Sequence, residues 1–191
     1  SIGIDLDSSG AFINDTTVQA DDIGIDIDGD NAQIGNSSIT ASGDALLADG
    51  IAVEANSQNF VIEDSVIENS SVGIRVEDDD GTPAIVRNQI LNNSDVGVDV
   101  LDRDTGEGTV NFNDIVDNNV GIDVTNGNGD ELDEAFANFY GDASGPSGTV
   151  RAPGTPNFDV SLGGSGDQIR AGGSNDNIDE FLPFLTQSVT E

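Results

Sequence analysis

The chain has no cysteine, methionine or tryptophan, no histidine, and no lysine anywhere in its 191 residues. Without cysteine there are no disulfides and no thiolate metal sites. Without histidine there is no imidazole to act as a base near neutral pH or to ligate a metal. Positive charge is confined to five arginines, at positions 75, 87, 103, 151 and 170, against 37 Asp and Glu, for a net charge of −32. Phosphate binding needs cationic patches, so nucleic acid is not an expected partner. No apolar run approaches the roughly 18 residues that a membrane-spanning helix needs. The sequence opens at Ser1 with no leader-like segment and is expected to be a mature or excised piece.

What the chain does have is a repeat. Residues 93–100 read NSDVGVDV and residues 117–124 read DNNVGIDV. Their core, glycine–aliphatic–x–aliphatic, occurs at Gly3, Gly24, Gly50, Gly73, Gly97 and Gly121, in steps of 21, 26, 23, 24 and 24 residues. A second phrase, an Asn or Asp before small polar and β-branched residues, follows the first five copies, at Asp15, Asn36, Asp64, Asn88 and Asn113. Apolar residues alternate with polar ones, which is the period of a strand, and each unit is too short for a pair of helices. Two or three short strands and their turns in about 24 residues make one rung of a parallel β-helix.

The fold is therefore expected to be all-β: a right-handed parallel β-helix of about six to seven rungs with a C-terminal aromatic cap. Residues 1–135 are read as the rungs, and residues 136–191 as the closing rung, cap and tail of the same domain. Ile4/Leu6, Ile25/Ile27, Ile51/Val53, Ile74/Val76, Val98/Val100 and Ile122/Val124 should form two inward columns, since side chains two apart in a strand share a face. The residues between them, Asp5, Asp26, Ala52, Arg75, Asp99 and Asp123, should point outward. The preceding glycine suits either a positive φ or a place with no room for a Cβ. The Asn/Asp column is expected at a turn, with Asn36 inaccessible inside it.

Acidity on such a frame reads as adaptation to concentrated salt. Two carboxylates one rung apart, about 4.8 Å, repel by roughly 0.9 kcal/mol in water. At about 1 M salt the screening length falls to roughly 3 Å and the repulsion nearly vanishes.

The rungs resemble the right-handed parallel β-helix repeat proteins of the carbohydrate-binding and sugar-hydrolase type, above all the acidic secreted and surface members found in haloarchaea. The stretch NFYGDASGPSG (Asn138–Gly148) is similar to the N-W-W-G-x-x-x-G-P-x-G element that closes the last rung in that family, with Phe139-Tyr140 where Trp-Trp is usual. GSGDQI (Gly164–Ile169) and IDEFLPFL (Ile178–Leu185) resemble its closing strand and end. The resemblance implies an extracellular or cell-surface location. That family includes enzymes, surface-layer-associated proteins and modules of other kinds, so function is to be argued from the site.

Several residues are candidates for a site. Phe136, Phe139 and Tyr140 cluster after the last repeat, where they would plug the end of the coil or, as a platform at Phe139 and Tyr140, stack on sugar. Phe158, Phe181, Phe184 and Leu185 are expected to fold the tail back. The oxygen-rich stretch at Asp123, Asn126, Asn128, Asp130 and Asp133 is the best calcium candidate, alongside its plain reading as a solvated acidic loop. Sequons stand at Asn14, Asn36, Asn69 and Asn92, of which Asn69 and Asn92 are the glycosylation candidates. β-Helix lyases rely on an Arg or Lys base and epimerases on His and Tyr, so this inventory argues against catalysis. The expected function is a non-catalytic structural or adhesive module of a halophilic archaeal surface. The alternatives are a polysaccharide-binding or polysaccharide-cleaving domain and a subunit of a filament or viral spike. Ile2, Ile4 and Leu6 would form an open edge for self-association or for upstream rungs of a parent chain.

Overall fold

The computed structural model describes residues 1–42, 49–53, 58–77, 82–101, 108–124, 131–151, 159–171, 177–180 and 183–189. The first turn of the coil is β1 (Ile2–Leu6), β2 (Phe12–Asn14) and β3 (Thr17–Ala20). The second is β4 (Ile23–Ile27), β5 (Gln33–Gly35) and β6 (Ser38–Ala41), and the third is β7 (Asp49–Val53), β8 (Val61–Glu63) and β9 (Val66–Glu68). The fourth is β10 (Val72–Glu77), β11 (Ala84–Val86) and β12 (Gln89–Leu91), and the fifth is β13 (Val96–Leu101), β14 (Thr109–Asn111) and β15 (Asp114–Val116). Each turn places one strand in each of three parallel sheets: sheet A begins at β1, sheet B at β2 and sheet C at β3.

These five complete turns are followed by two less regular ones. β16 (Val120–Asp123) and β17 (Glu131–Glu134) continue sheets A and B, and Phe139 bridges to Asp114 on the third side. After β18 (Pro146–Arg151) and β19 (Asp159–Gly163), β20 (Gly166–Ala171) stacks directly on β16 and β21 (Asn177–Glu180) on β17. β18 then pairs with the far edge of β20, and β19 closes sheet A as its antiparallel outer strand. Residues 183–185 run along the third side, with the Leu185 N–H donating to the Asn138 carbonyl and the Ala137 N–H to that of Pro183.

The register is that of the repeat. Ile4 pairs with Ile25, Ile25 with Ile51, Ile51 with Ile74, Ile74 with Val98, Val98 with Ile122, and Ile122 with Ile169. Except for Ile4 in the first turn, these side chains are fully or almost fully buried. Sheet C supplies Val18, Ile39, Ile67, Ile90 and Ile115 to the same core, all buried, and Ile115 is followed by Tyr140, which lies next to the bridging Phe139. At about 25 cal/mol per Å² of apolar surface removed from water, these columns are the main term holding the coil together.

The repeat glycines are not at positive φ. A Cβ at Gly3, Gly24, Gly50, Gly73 or Gly97 would come within 2.7 Å of the carbonyl oxygen of the glycine one turn on. The column is glycine because the backbones approach too closely for anything larger.

The Asn/Asp column divides into two. Asp15, Asn36 and Asp64 sit at a left-handed corner between sheets B and C, with φ of 51°, 48° and 49°, a conformation that Asn and Asp tolerate. In the next three turns that corner is taken by Arg87, Phe112 and Ala137. Asn88 and Asn113 lie one residue further along, in an internal ladder that runs Thr16, Ser37, Ser65, Asn88, Asn113, Asn138. From Thr16 to Asn113, each backbone N–H in the ladder donates to the side-chain oxygen one turn on, at 2.8–3.2 Å. Asn36 is exposed, not inaccessible, because it occupies the corner and not the ladder. A second ladder, at the corner between sheets C and A, runs Ser70, Asn93, Asn118 and ends on the Asp167 carboxylate. Both ladders satisfy backbone donors at the bends, where the sheets cannot.

Candidate functional site

The outer face of sheet A carries the densest chemistry. Its alternation does turn Asp26, Asp99 and Asp123 away from the core, but they are not solvated: all three are buried. Alternation fixes which way a side chain points and not what covers it. Asp49 belongs to a neighbouring column that is otherwise aliphatic, with Ile23 below it and Val72, Val96 and Val120 above. It is 5% exposed, and its Oδ1 has no hydrogen-bond partner among the described residues. Its other oxygen accepts from Arg75 Nη1 at 2.8 Å. Burial pushes the Asp49 carboxyl up to about 6, against the pull of Arg75, with Asp99 and Glu77 adding to the rise.

Arg75 is shared. Its Nε lies 3.5 Å from Asp99 Oδ2 and 4.0 Å from Glu77 Oε1. Asp99 stacks on Asp123, whose Oδ2 is 3.4 Å from Arg170 Nη1. The seam therefore has an arginine at each end of an Asp99–Asp123 pair. A stack of carboxylates in register would repel itself, and the two guanidinium groups offset that repulsion. Arg87 does the same at the corner of sheets B and C. Its Nε and Nη2 each lie 2.9 Å from Asp64, and Nη2 lies 2.5 Å from Glu63. This fork holds the Asp64 carboxyl below the usual carboxylate range.

In the first two turns, Asp5, Asp7 and Asp28 bring one oxygen each within 4.8 Å of one another, all exposed. The Asp5 carboxyl is raised, first by its hydrogen bond to Asp7 and then by its slight burial and the charges of Asp7 and Asp28. The calcium candidates fall elsewhere. Asn126, Asn128 and Asp130 lie outside the described residues, Asp123 faces Arg170, and Asp133 belongs to β17. The structure thus brings together three carboxylates that spacing along the chain does not reveal, because Asp28 comes from the following turn.

Tyr140 is 1% exposed and continues the inward column of sheet C; burial holds its hydroxyl well above the ordinary tyrosine value. Phe139 is half-buried beside it. Phe184 packs against the core and over Gly145, while Phe158 and Phe181 lie outside the described residues. Asn69 and Asn92 are exposed at left-handed corners, with φ of 58° and 54°, one turn apart. Ile2 is 46% exposed on the first strand, and Ile4 and Leu6 are only partly buried. Two further exposed aromatics escaped the sequence reading. Phe12 is 67% exposed on β2, and Phe112 is 45% exposed with its ring edge-on to Phe136 at 5.8 Å. Phe112 follows Arg87 in the corner column, and the step of 25 residues between them is the signal that would have placed it there.

The family model described as "Right handed beta helix region" matches residues 1–134, and the chain belongs to that family. No curated protein and no solved structure matches the chain. The fold defines a parallel β-solenoid repeat domain.

Proposed function

We propose that the chain is a non-catalytic structural or adhesive module, a stiff acidic rod displayed outside the cell of a salt-adapted archaeon or in an assembly on its surface. The observation that carries this reading is the use made of the arginines whose side chains are described. Arg75, Arg87 and Arg170 are each tied to carboxylates of the rod itself, so the groups a β-helix lyase would turn on a substrate serve to hold adjacent turns together. The net charge of −32 and the in-register carboxylates favour a setting in which salt screens them. The exposed Asn69 and Asn92 suit glycans on an extracellular surface, and the partly open first strand, Ile2–Leu6, suits a further turn of coil laid on it.

Small-angle scattering with circular dichroism tests this in molar and in dilute salt. In molar salt we expect a cooperatively melting β-rod, and in dilute salt a lower melting temperature. Joining through the first strand lengthens the rod without thickening it. Equal melting temperatures in both buffers would remove the salt-adapted setting. Depolymerisation of an acidic polysaccharide by the pure chain, lost in Asp99→Asn, would make it an enzyme.

A further inference from the structure

An exposed asparagine is half of what an N-linked glycan needs. The sequon also requires a hydroxyl two residues on, and a bulky glycan needs open surface around both. The four sequons, all within the described residues, differ in this respect. Asn14 is half-buried at the end of β2 and lends its amide N–H to Asp15 Oδ2 at 2.6 Å, while the Thr16 hydroxyl donates to the Asn14 carbonyl at 3.0 Å. Asn36 is exposed, but its amide donates to Asn14 Oδ1 at 2.8 Å, and Ser38 is half-buried as the first residue of β6. Asn69 is exposed, but Ser71 is only 5% exposed. In the fourth sequon Asn92 and Ser94 are both exposed.

The cause lies in the corner between sheets C and A. Ser70, Asn93 and Asn118 form its ladder, and Val72, Val96 and Val120 begin the sheet A strands that follow, in register. Ser70 and Val72 are two residues apart, as are Asn118 and Val120, but Asn93 and Val96 are three apart. The corner that ends the fourth turn thus holds one residue more than its neighbours. It is pinned by the ladder at one end and by the sheet at the other, so the added residue is pushed outward. The backbone stays satisfied there: the Ser94 N–H donates to the Ser70 carbonyl, and those of Asp95 and Val96 to the Ser71 carbonyl, at 2.9–3.3 Å. With Asn93 held inward between them, Asn92 and Ser94 both stand on the solvent side.

We propose that Asn92 is the one glycosylated asparagine of this chain, selected by the fold from four matching sequons; this rests on the cell-surface location proposed above. The donor is an oligosaccharide carried on a lipid phosphate. Asn92 Nδ2 bonds to the anomeric carbon, the bond from that carbon to the phosphate oxygen breaks, the lipid phosphate leaves with the electron pair, and the amide gives up one proton. Asn69 is passed over because the hydroxyl of its sequon is buried.

Secretion of the whole chain behind an export leader, from a halophilic archaeon whose own surface proteins carry N-glycans, tests this by tryptic mass spectrometry. Trypsin cuts after arginine, so the peptide Asn88–Arg103 carries the Asn92 sequon alone and Ser1–Arg75 carries the other three. The first should be shifted by the mass of a glycan and the second should have its bare mass. Ser94→Ala changes an exposed side chain, so circular dichroism should be unaltered, and Asn88–Arg103 should return to its bare mass with Asn92 still in place. A chain recovered folded from the medium with Asn88–Arg103 unmodified overturns the proposal and leaves the surface location standing. A glycan anywhere on Ser1–Arg75 also overturns it, since the fold would then not be what selects. A chain that does not fold outside the cell overturns both.

Discussion

The first three turns and the next three share one backbone plan but are held by different side chains. Early in the B–C ladder the acceptors are hydroxyls. Ser37 and Ser65 each take one N–H from the turn before and return their own hydroxyl to a carbonyl two residues back, that of Gly35 or Glu63, at 2.8 Å. Later the acceptors are amides, which reach further. Asn113 takes the N–H of Asn88 at 2.8 Å and gives its own amide to the Ile85 carbonyl at 2.9 Å and to Asn138 at 3.1 Å. A hydroxyl satisfies one bend, whereas an amide bolts three turns together. The ends differ in the same sense. Ile2 and Phe12 are exposed at the first, while Tyr140 is covered at the last by β20, whose Asp167 N–H donates to the Tyr140 carbonyl at 2.8 Å. Stability in this rod should therefore rise toward the C-terminal end, as it can in a repeat where each turn contacts only its neighbours.

The sharpest way to break this comparison is to empty the same core column at each end. Tyr140→Ala should cost about 3–5 kcal/mol, the range for losing a buried aromatic. Val18→Ala, in the first turn, should cost about 1–2 kcal/mol. Denaturant unfolding in molar salt measures both, and equal losses would show that the two ends are held alike. The ladders come next. Asn113→Ala leaves the Asn88 N–H without its partner in a buried corner and takes one of two donors from the Ile85 carbonyl, for about 2–3 kcal/mol, against about 1 kcal/mol for Ser37→Ala. Hydrogen exchange reads the difference directly: the Asn88 amide should lose more protection than the Thr16 amide does in its own variant. The reverse order would reverse the gradient.

The smallest effect concerns Asp49. Its carboxyl rises from 3.8 in the free residue to about 6, so between those values the folded chain holds more proton than the unfolded one. By linkage, its contribution to stability then falls as pH rises through that window. Relative to Asp49→Asn, the wild type should lose on the order of 2 kcal/mol between pH 4 and pH 7, after allowance for solvent screening. Parallel pH–stability curves for the two proteins would show that the pull of Arg75 cancels the effect of burial, leaving the Asp49 carboxyl at its ordinary value.

The glycine–aliphatic phrase carried most of the fold because its spacing is the register itself: Gly3 to Gly121 step through successive strands of sheet A. The offset in the second phrase was not legible from type alone. Asn suits both a left-handed corner and an amide ladder, and only the backbone shows that Asn36 does the first and Asn88 the second. A usable signal was present. A corner residue followed directly by Ser or Asn recurs at Asp64-Ser65, Arg87-Asn88, Phe112-Asn113 and Ala137-Asn138 in the first ladder, and at Asn69-Ser70, Asn92-Asn93 and Asp117-Asn118 in the second. Alternation predicted that Asp26, Asp99 and Asp123 leave the core, but it contains nothing about cover, so their burial was out of reach. Asp49 was missed for a related reason: it breaks an aliphatic column whose other members are recognised only once the strands are stacked.

Parallel, in-register stacking also has a mechanical side. Every hydrogen bond between turns lies along the rod, so a pull on its two ends loads the bonds of one junction at a time and does not shear a whole sheet at once. Under tension the coil would come apart as a series of discrete extensions. Each turn holds 21 to 26 residues and would release about 70–90 Å of chain. With hydroxyl ladders at one end and amide ladders at the other, those extensions have a set order: slack is let out first from the N-terminal turns, while the C-terminal ones still bear the load.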